Sequence, residues 1–292
     1  MKKRFLWLML PLVLPLTACQ HSKVATKPNN TINTTSNEKQ IGRLNLSNMS
    51  SDKSLEQVKT ALSQQLAPDN VNQFIEGVKD YNDTVEKVSL VGDFAKRKPP
   101  HYDMAKIDQL WAAKKGDFIG TNCRINTFML LKDKLTIQDI NSDDSLLFSD
   151  KDAIRAANLF TEEETNRFKQ LFSKVTTEPT KDVAIHAKKM QAHLSHVSFN
   201  SPAKMVSVVL HDNLDGDALF IGHVGVLVEH ADGYLFVEKL SFQDPFQAIL
   251  FDTKDDCYRY LFNTYKKYQD STTAAPFIME NDQFVSPKRY KS

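Results

Sequence analysis

The chain has 292 residues, a formal net charge of +1, 41% hydrophobic residues and 25% charged residues. This is the composition of an ordinary globular protein, with enough length for a full core in one large domain or two small ones. The near-neutral balance excludes the basic footprint of a nucleic-acid binder, and no internal repeat points to a solenoid.

Lys2, Lys3 and Arg4 form a basic start, Phe5 to Leu16 an apolar run interrupted by Pro11 and Pro15, and Leu16-Thr17-Ala18-Cys19 a small-residue end. A short apolar run before small residues reads as a cleaved signal over 1–18 rather than a membrane span. With cysteine directly after the small residues, the stretch resembles bacterial lipoprotein signals. That resemblance implies a lipidated Cys19 at the mature N-terminus, and acyl chains as the anchor to an extracytoplasmic membrane face. The alternative is an ordinary signal peptide with Cys19 discarded. Cys19 to about Ser50, rich in Asn, Thr, Ser and Lys, reads as a flexible tether.

From Ser51 to the end, the pattern predicts a single α+β domain. Leu55, Val58, Leu62 and Leu66 recur at helical spacing behind Ser51 and Asp52. A second helix follows Pro68-Asp69, and a third runs from about Asp103 through Trp111 to Gly116. The turn Gly120-Thr121-Asn122 then leads into Cys123 and the apolar residues Ile125, Phe128, Met129, Leu130 and Leu131, predicting a central, buried helix. Thr161 with Glu164 forms a capping box, and a more polar helix spans about Asp182 to His196. From Ala203 the period changes to two. Strands are expected at Met205–Leu210, Ala218–Glu229, Tyr234–Leu240 and Ala248–Phe251, with a hairpin turn at Ala231-Asp232-Gly233 and a closing helix behind Thr253. Helices first and antiparallel strands last define the α+β class.

Cys123 is the candidate nucleophile. The first position of a helix meets the positive end of the dipole and unpaired backbone N–H groups, and both favour thiolate. A cysteine nucleophile needs a base, and the base an orienting partner. His223, in Ile221-Gly222-His223-Val224-Gly225, is the best base, although a core histidine satisfied by hydrogen bonds explains it equally well; His211 is a second candidate. Glu238 is the one acid in the apolar return strand and the candidate orienter, with Gln243 and Asp244 as substitutes and a Glu238–Lys239 surface pair as the bland alternative. Asn122 is either an oxyanion donor or, the reading we favour, the helix N-cap. Arg124 takes no assigned role. Cys257 reads as buried structure. His186, His193 and His196 lack metal-ligand spacing and are expected at the surface, and Asp212 to Asp217 fits a turn better than a calcium loop.

GTNCRINTFMLL, SVVLHD, LFIGHVGVLVE, GYLFVEKLSFQDPFQAILF and APFIMEND together resemble an uncharacterised family of bacterial lipoproteins defined as a domain of unknown function. More distantly, Cys123, the His223-Val224-Gly225 triplet and Glu238 follow the order of NlpC-type and papain-like cysteine peptidases and amidases. That resemblance implies a papain-like fold and hydrolysis of amide bonds, with peptidoglycan stem peptides as the substrate class. Departures are Asn122-Cys123-Arg124-Ile125 for the usual Asp-Cys-Ser-Gly, a glutamate as third residue, and extra helix between cysteine and histidine. The leading expectation is a lipid-anchored thiol hydrolase needing no cofactor. The rival is a non-catalytic envelope lipoprotein that binds a partner through its helical region. A zinc site on Cys123 and His223 ranks last, for want of ligands.

Overall fold

In the computed structural model, residues 42–138 and 142–291 are described. The signal over 1–18, the lipidation site Cys19 and the greater part of the tether lie outside them. The end of the stretch assigned to the tether is a strand, β1 (Leu44–Ser47). Its alternation is short, but Leu44 and Leu46 are buried beneath the sheet, and burial of a pair of leucines outweighs a polar local composition.

The helical part follows the expected starts. Ser51 caps α1 (Asp52–Ser63) through the Ser54 N–H, and α2 (Pro68–Thr84) opens on proline, whose missing N–H costs nothing there. After a short edge strand, β2 (Ala95–Arg97), Asp103 caps α3 (Met104–Lys115) and Gly116 ends it at positive φ. Helix α4 (Cys123–Leu131) is buried on nearly every side, with Ile125, Phe128, Met129, Leu130 and Leu131 at most 4% exposed. A hydrophobic surround of this kind makes a helix central rather than amphipathic.

Four elements of the middle region, the strands Leu135–Ile137, Val175–Thr176 and Val197–Phe199 and the helix Phe148–Ala156, were not anticipated. Strand β3 (Leu135–Ile137) pairs later in the chain with β5 (Val197–Phe199), a separate two-stranded ribbon. Between them stand α5 (Phe148–Ala156), α6 (Glu162–Phe172) with its capping box, the two-residue strand β4 (Val175–Thr176), and α7 (Val183–Leu194). Strands β6 (Lys204–Asp212), β7 (Ala218–His230), β8 (Gly233–Lys239) and β9 (Phe246–Phe251) then form an antiparallel meander, followed by α8 (Lys254–Tyr265), β10 (Phe277–Glu280) and β11 (Gln283–Phe284).

The nine-stranded sheet runs β11-β10-β6-β7-β8-β9-β1-β2, with β4 attached to β7, and every described pairing is antiparallel. Its two faces bury separate clusters. One holds α1 to α7 against Val224, Val226, Val228, Leu235 and Val237; the other packs α8 against Leu227, Phe236 and Ile249. The fold is therefore mixed α+β, with a buried cysteine helix on a largely C-terminal antiparallel sheet. Among the described residues no helix is long and apolar enough to cross a membrane.

Candidate functional site

Two features of β7 place His223. Opposite Val208 and Val209 of β6 stand His223 and Ile221, so Gly222 is an extra residue, a bulge. Before it, Leu219 and Ile221 face the main helical layer; after it, Val224, Val226 and Val228 do so. A bulge resets the two-residue alternation. It turns His223 to the α8 face, where the ring stacks on Tyr265 with centroids 4.7 Å apart. The second feature is a fork. The β7–β8 ladder ends at Val226↔Val237, short of His223 and Glu238, and α4 packs against both strands.

Cys123 is delivered by Gly120, whose φ of +89° is open chiefly to glycine and whose Cα faces the Phe242 carbonyl too closely for any side chain. Asn122 caps the helix: its Oδ1 accepts from the Ile125 N–H at 3.0 Å, and its Nδ2 donates to Asp150 at 2.7 Å. The cap reading therefore holds, with one of the two Nδ2 hydrogens of Asn122 committed to Asp150. Asn126 N–H goes to the Asn122 carbonyl, leaving by helix geometry the N–H groups of Cys123 and Arg124 as free donors at the helix start.

The Cys123 thiol and the His223 ring are close neighbours whose charges favour each other, and His223 Nε2 lies 2.6 Å from Glu238 Oε2. With Nε2 on the carboxylate, Nδ1 is the nitrogen left for sulfur. Glu238 Oε1 accepts from Tyr260 Oη at 2.6 Å and from Gln247 Nε2 at 3.2 Å. Gln247 in turn accepts from Tyr102, which is held by Asn48. The site side chains are buried, Cys123 being 5% exposed, His223 1% and Glu238 2%, while Tyr102 at the far end is half-buried. Burial opposes the thiolate, but the neighbouring His223 and then the Arg124 guanidinium outweigh it, holding the thiol below its ordinary value. Burial likewise opposes the imidazolium, yet contact with Cys123 and then with Glu238 raises His223 to about 10.

The remaining sequence candidates take other places. His211 has both nitrogens engaged, with Asp217 at 3.0 Å and the Ala274 N–H at 3.0 Å. Gln243 and Asp244 lie in the β8–β9 loop, where the Gln243 carbonyl accepts from Tyr81. Glu238 and Lys239 are both buried, and neither is the surface pair considered from sequence. Lys239 Nζ instead bonds the carbonyls of Ser241 at 3.0 Å, Phe242 at 3.2 Å and Asp244, and sits 4.1 Å from the centroid of the Tyr81 ring. Burial draws its pKa down to about 7, against Asp244 and Cys123; three carbonyl acceptors match the three N–H groups of its charged form. Cys257 is fully buried, and burial pushes its thiol up. His186 corrects the expectation of exposure: it is fully buried, bonded to Thr177 Oγ1 and the Thr180 carbonyl, because α7 turns that face onto β4 and the sheet. His196 is exposed and His193 half-buried.

Sequence reasoning missed Arg124 and Asp150. Arg124 Nε and Nη2 bond the two Asp150 oxygens at 2.9 and 2.7 Å, and Nη1 donates to the Ile221 carbonyl of β7 at 3.1 Å. Asp150 lies in a helix that the sequence pattern did not bring out, so no local signal tied it to the thiol. Among the described residues no group of three or more His, Cys, Asp or Glu side chains is arranged to hold a metal ion.

What fold and site define is an α+β domain in which a buried thiol at the N-terminus of the central helix neighbours a buried His223–Glu238 pair. The chain belongs to the family described as Domain of unknown function (DUF4300), whose model matches residues 45–285. No curated protein and no solved structure matches it.

Proposed function

We propose that this protein is a cysteine hydrolase of the bacterial envelope that cleaves amide bonds, with peptidoglycan stem peptides as the substrate class. The observation that carries the reading is that His223, bonded at 2.6 Å to Glu238, is charge-coupled to the neighbouring Cys123 thiol. His223 takes the thiol proton, and the thiolate attacks the amide carbonyl carbon. The N–H groups of Cys123 and Arg124 receive the developing oxyanion. The C–N bond breaks as His223 returns the proton to the leaving amine, and water then hydrolyses the thioester and regenerates the thiol. Glu238 accepts the imidazole N–H and stabilises its charged form. The order cysteine helix, histidine strand, acidic strand supports a papain-like or NlpC-like reading of the fold, and Met1 to Cys19 supports lipid anchoring outside the cytoplasm. With purified protein and stem peptides, Cys123→Ala is expected to abolish both turnover and iodoacetamide labelling at near-neutral pH. Full turnover in that variant would overturn the mechanism.

A second reading is a non-catalytic lipoprotein that acts as a binding or interaction module. It is favoured by the burial of Cys123, His223 and Glu238, none of which lines the surface groove of about 630 Å³ between α1 and the β7–β8 turn. An inert Cys123, unlabelled at pH 7, selects this reading.

A further inference from the structure

We propose that Asp150 is a positioning residue, whose carboxylate clamps both neighbours of Cys123 and holds the thiol against His223. The inference rests on the Cys123–His223 pair of the proposed function, though not on turnover. One Asp150 oxygen accepts from Asn122 Nδ2 at 2.7 Å and from Arg124 Nε at 2.9 Å; the other accepts from Arg124 Nη2 at 2.7 Å. The same guanidinium donates to the Ile221 carbonyl at 3.1 Å, on the residue just before the Gly222 bulge that aims His223. A single carboxylate from α5 thus joins the residues at 122 and 124 to the strand that carries the base.

Stability alone gives no reason for this arrangement. Asp150 is fully buried and its partner guanidinium mostly so, and a buried ion pair is commonly no more stabilising than well-packed apolar residues. Electrostatics alone gives none either. Toward the Cys123 thiolate the Arg124 charge is favourable and the Asp150 charge unfavourable, so the carboxylate by itself works against the thiolate. Geometry remains: a bidentate fork fixes both distance and direction, and a thiol hydrogen bond to an imidazole depends on both.

The signs of the two roles differ, which makes the test decisive. Iodoacetamide alkylation of Cys123 in the full chain is followed across pH, with the modified residue located by peptide mass mapping. For the native protein the midpoint is expected below the ordinary 9.0 of a thiol. If Asp150 acted only through charge, Asp150→Asn would lower that midpoint further. The clamp requires the opposite, a rise of about one pH unit or more as the thiol leaves His223. Arg124→Lys keeps the charge and loses the fork, and the same rise is expected; this variant decides the matter if Asp150→Asn does not fold by circular dichroism. A midpoint that falls or stays put in Asp150→Asn, or an unchanged Arg124→Lys, overturns the clamp while leaving the Cys123–His223 pair intact. A native midpoint at or above 9.0 overturns the pair itself, and the clamp with it.

Discussion

Glu238 carries three hydrogen bonds on two oxygens, from His223, Tyr260 and Gln247. Each partner removes freedom from the carboxylate, so His223 meets an acceptor already oriented. Glu238→Gln keeps the shape but offers an amide in place of one acceptor oxygen, and weakens the imidazolium that the mechanism needs. The expected result is a loss of roughly 10²- to 10⁴-fold in kcat with the fold retained, measured on stem peptides. The pH dependence has a definite sign. Cys123 is lowered and His223 raised to about 10, so the thiolate–imidazolium pair persists between those two limits. In His223→Ala the cation is gone while the burial stays. The thiolate window should therefore retreat to alkaline pH, read as a rise in the alkylation midpoint of Cys123.

The element that decides the site is β7. Its bulge at Gly222 changes which face His223 occupies, and its early departure from β8 leaves room beside α4. Gly225 marks the other end of this irregular stretch. A methyl group there would press on the Phe236 ring and on the Val237 carbonyl, a backbone atom that cannot rotate away; at Gly222 it would meet only the flexible end of Leu210. Overpacking of this kind costs about 1–3 kcal/mol. Gly225→Ala is therefore expected to lower the urea midpoint clearly, and Gly222→Ala to lower it less.

At the scale of the whole molecule, the β8–β9 loop ties the helical layer to the sheet. Its carbonyls at Ser241, Phe242 and Asp244 converge on Lys239, that of Gln243 receives the Tyr81 hydroxyl from α2, and that of Phe242 lies against Gly120 in the turn before Cys123. Lys239→Met removes the common donor. Ser241 is exposed and its carbonyl can turn to water, but the others lose their partner, for an expected loss of about 2–4 kcal/mol by denaturant unfolding. The sheet itself is closed from both ends of the chain, since β1 and β2 border β9 while β10 and β11 border β6. That arrangement brings residues from about Leu44 onward into the same body as the C-terminal strands.

The sequence by itself determined the elements whose signals are local. Apolar periodicity marked α1 to α4 and the meander, capping residues marked helix starts at Ser51, Asn122, Thr161 and Thr253, and the order Cys123, His223, Glu238 named the candidate site. What only the tertiary structure decided depends on contacts between distant positions. Leu44 to Ser47 is a strand because β9 offers it a partner. His186 is buried because α7 lies against the sheet. Lys239 is internal because Ser241, Phe242 and Asp244 fold their carbonyls back upon it. Asp150 belongs beside Cys123 because an ion pair spans 26 residues of sequence that no periodicity connects. Local propensity is written into a few neighbouring side chains, whereas desolvation and partner geometry are set only when separate segments meet, and in this chain those later terms fix the surroundings of the thiol.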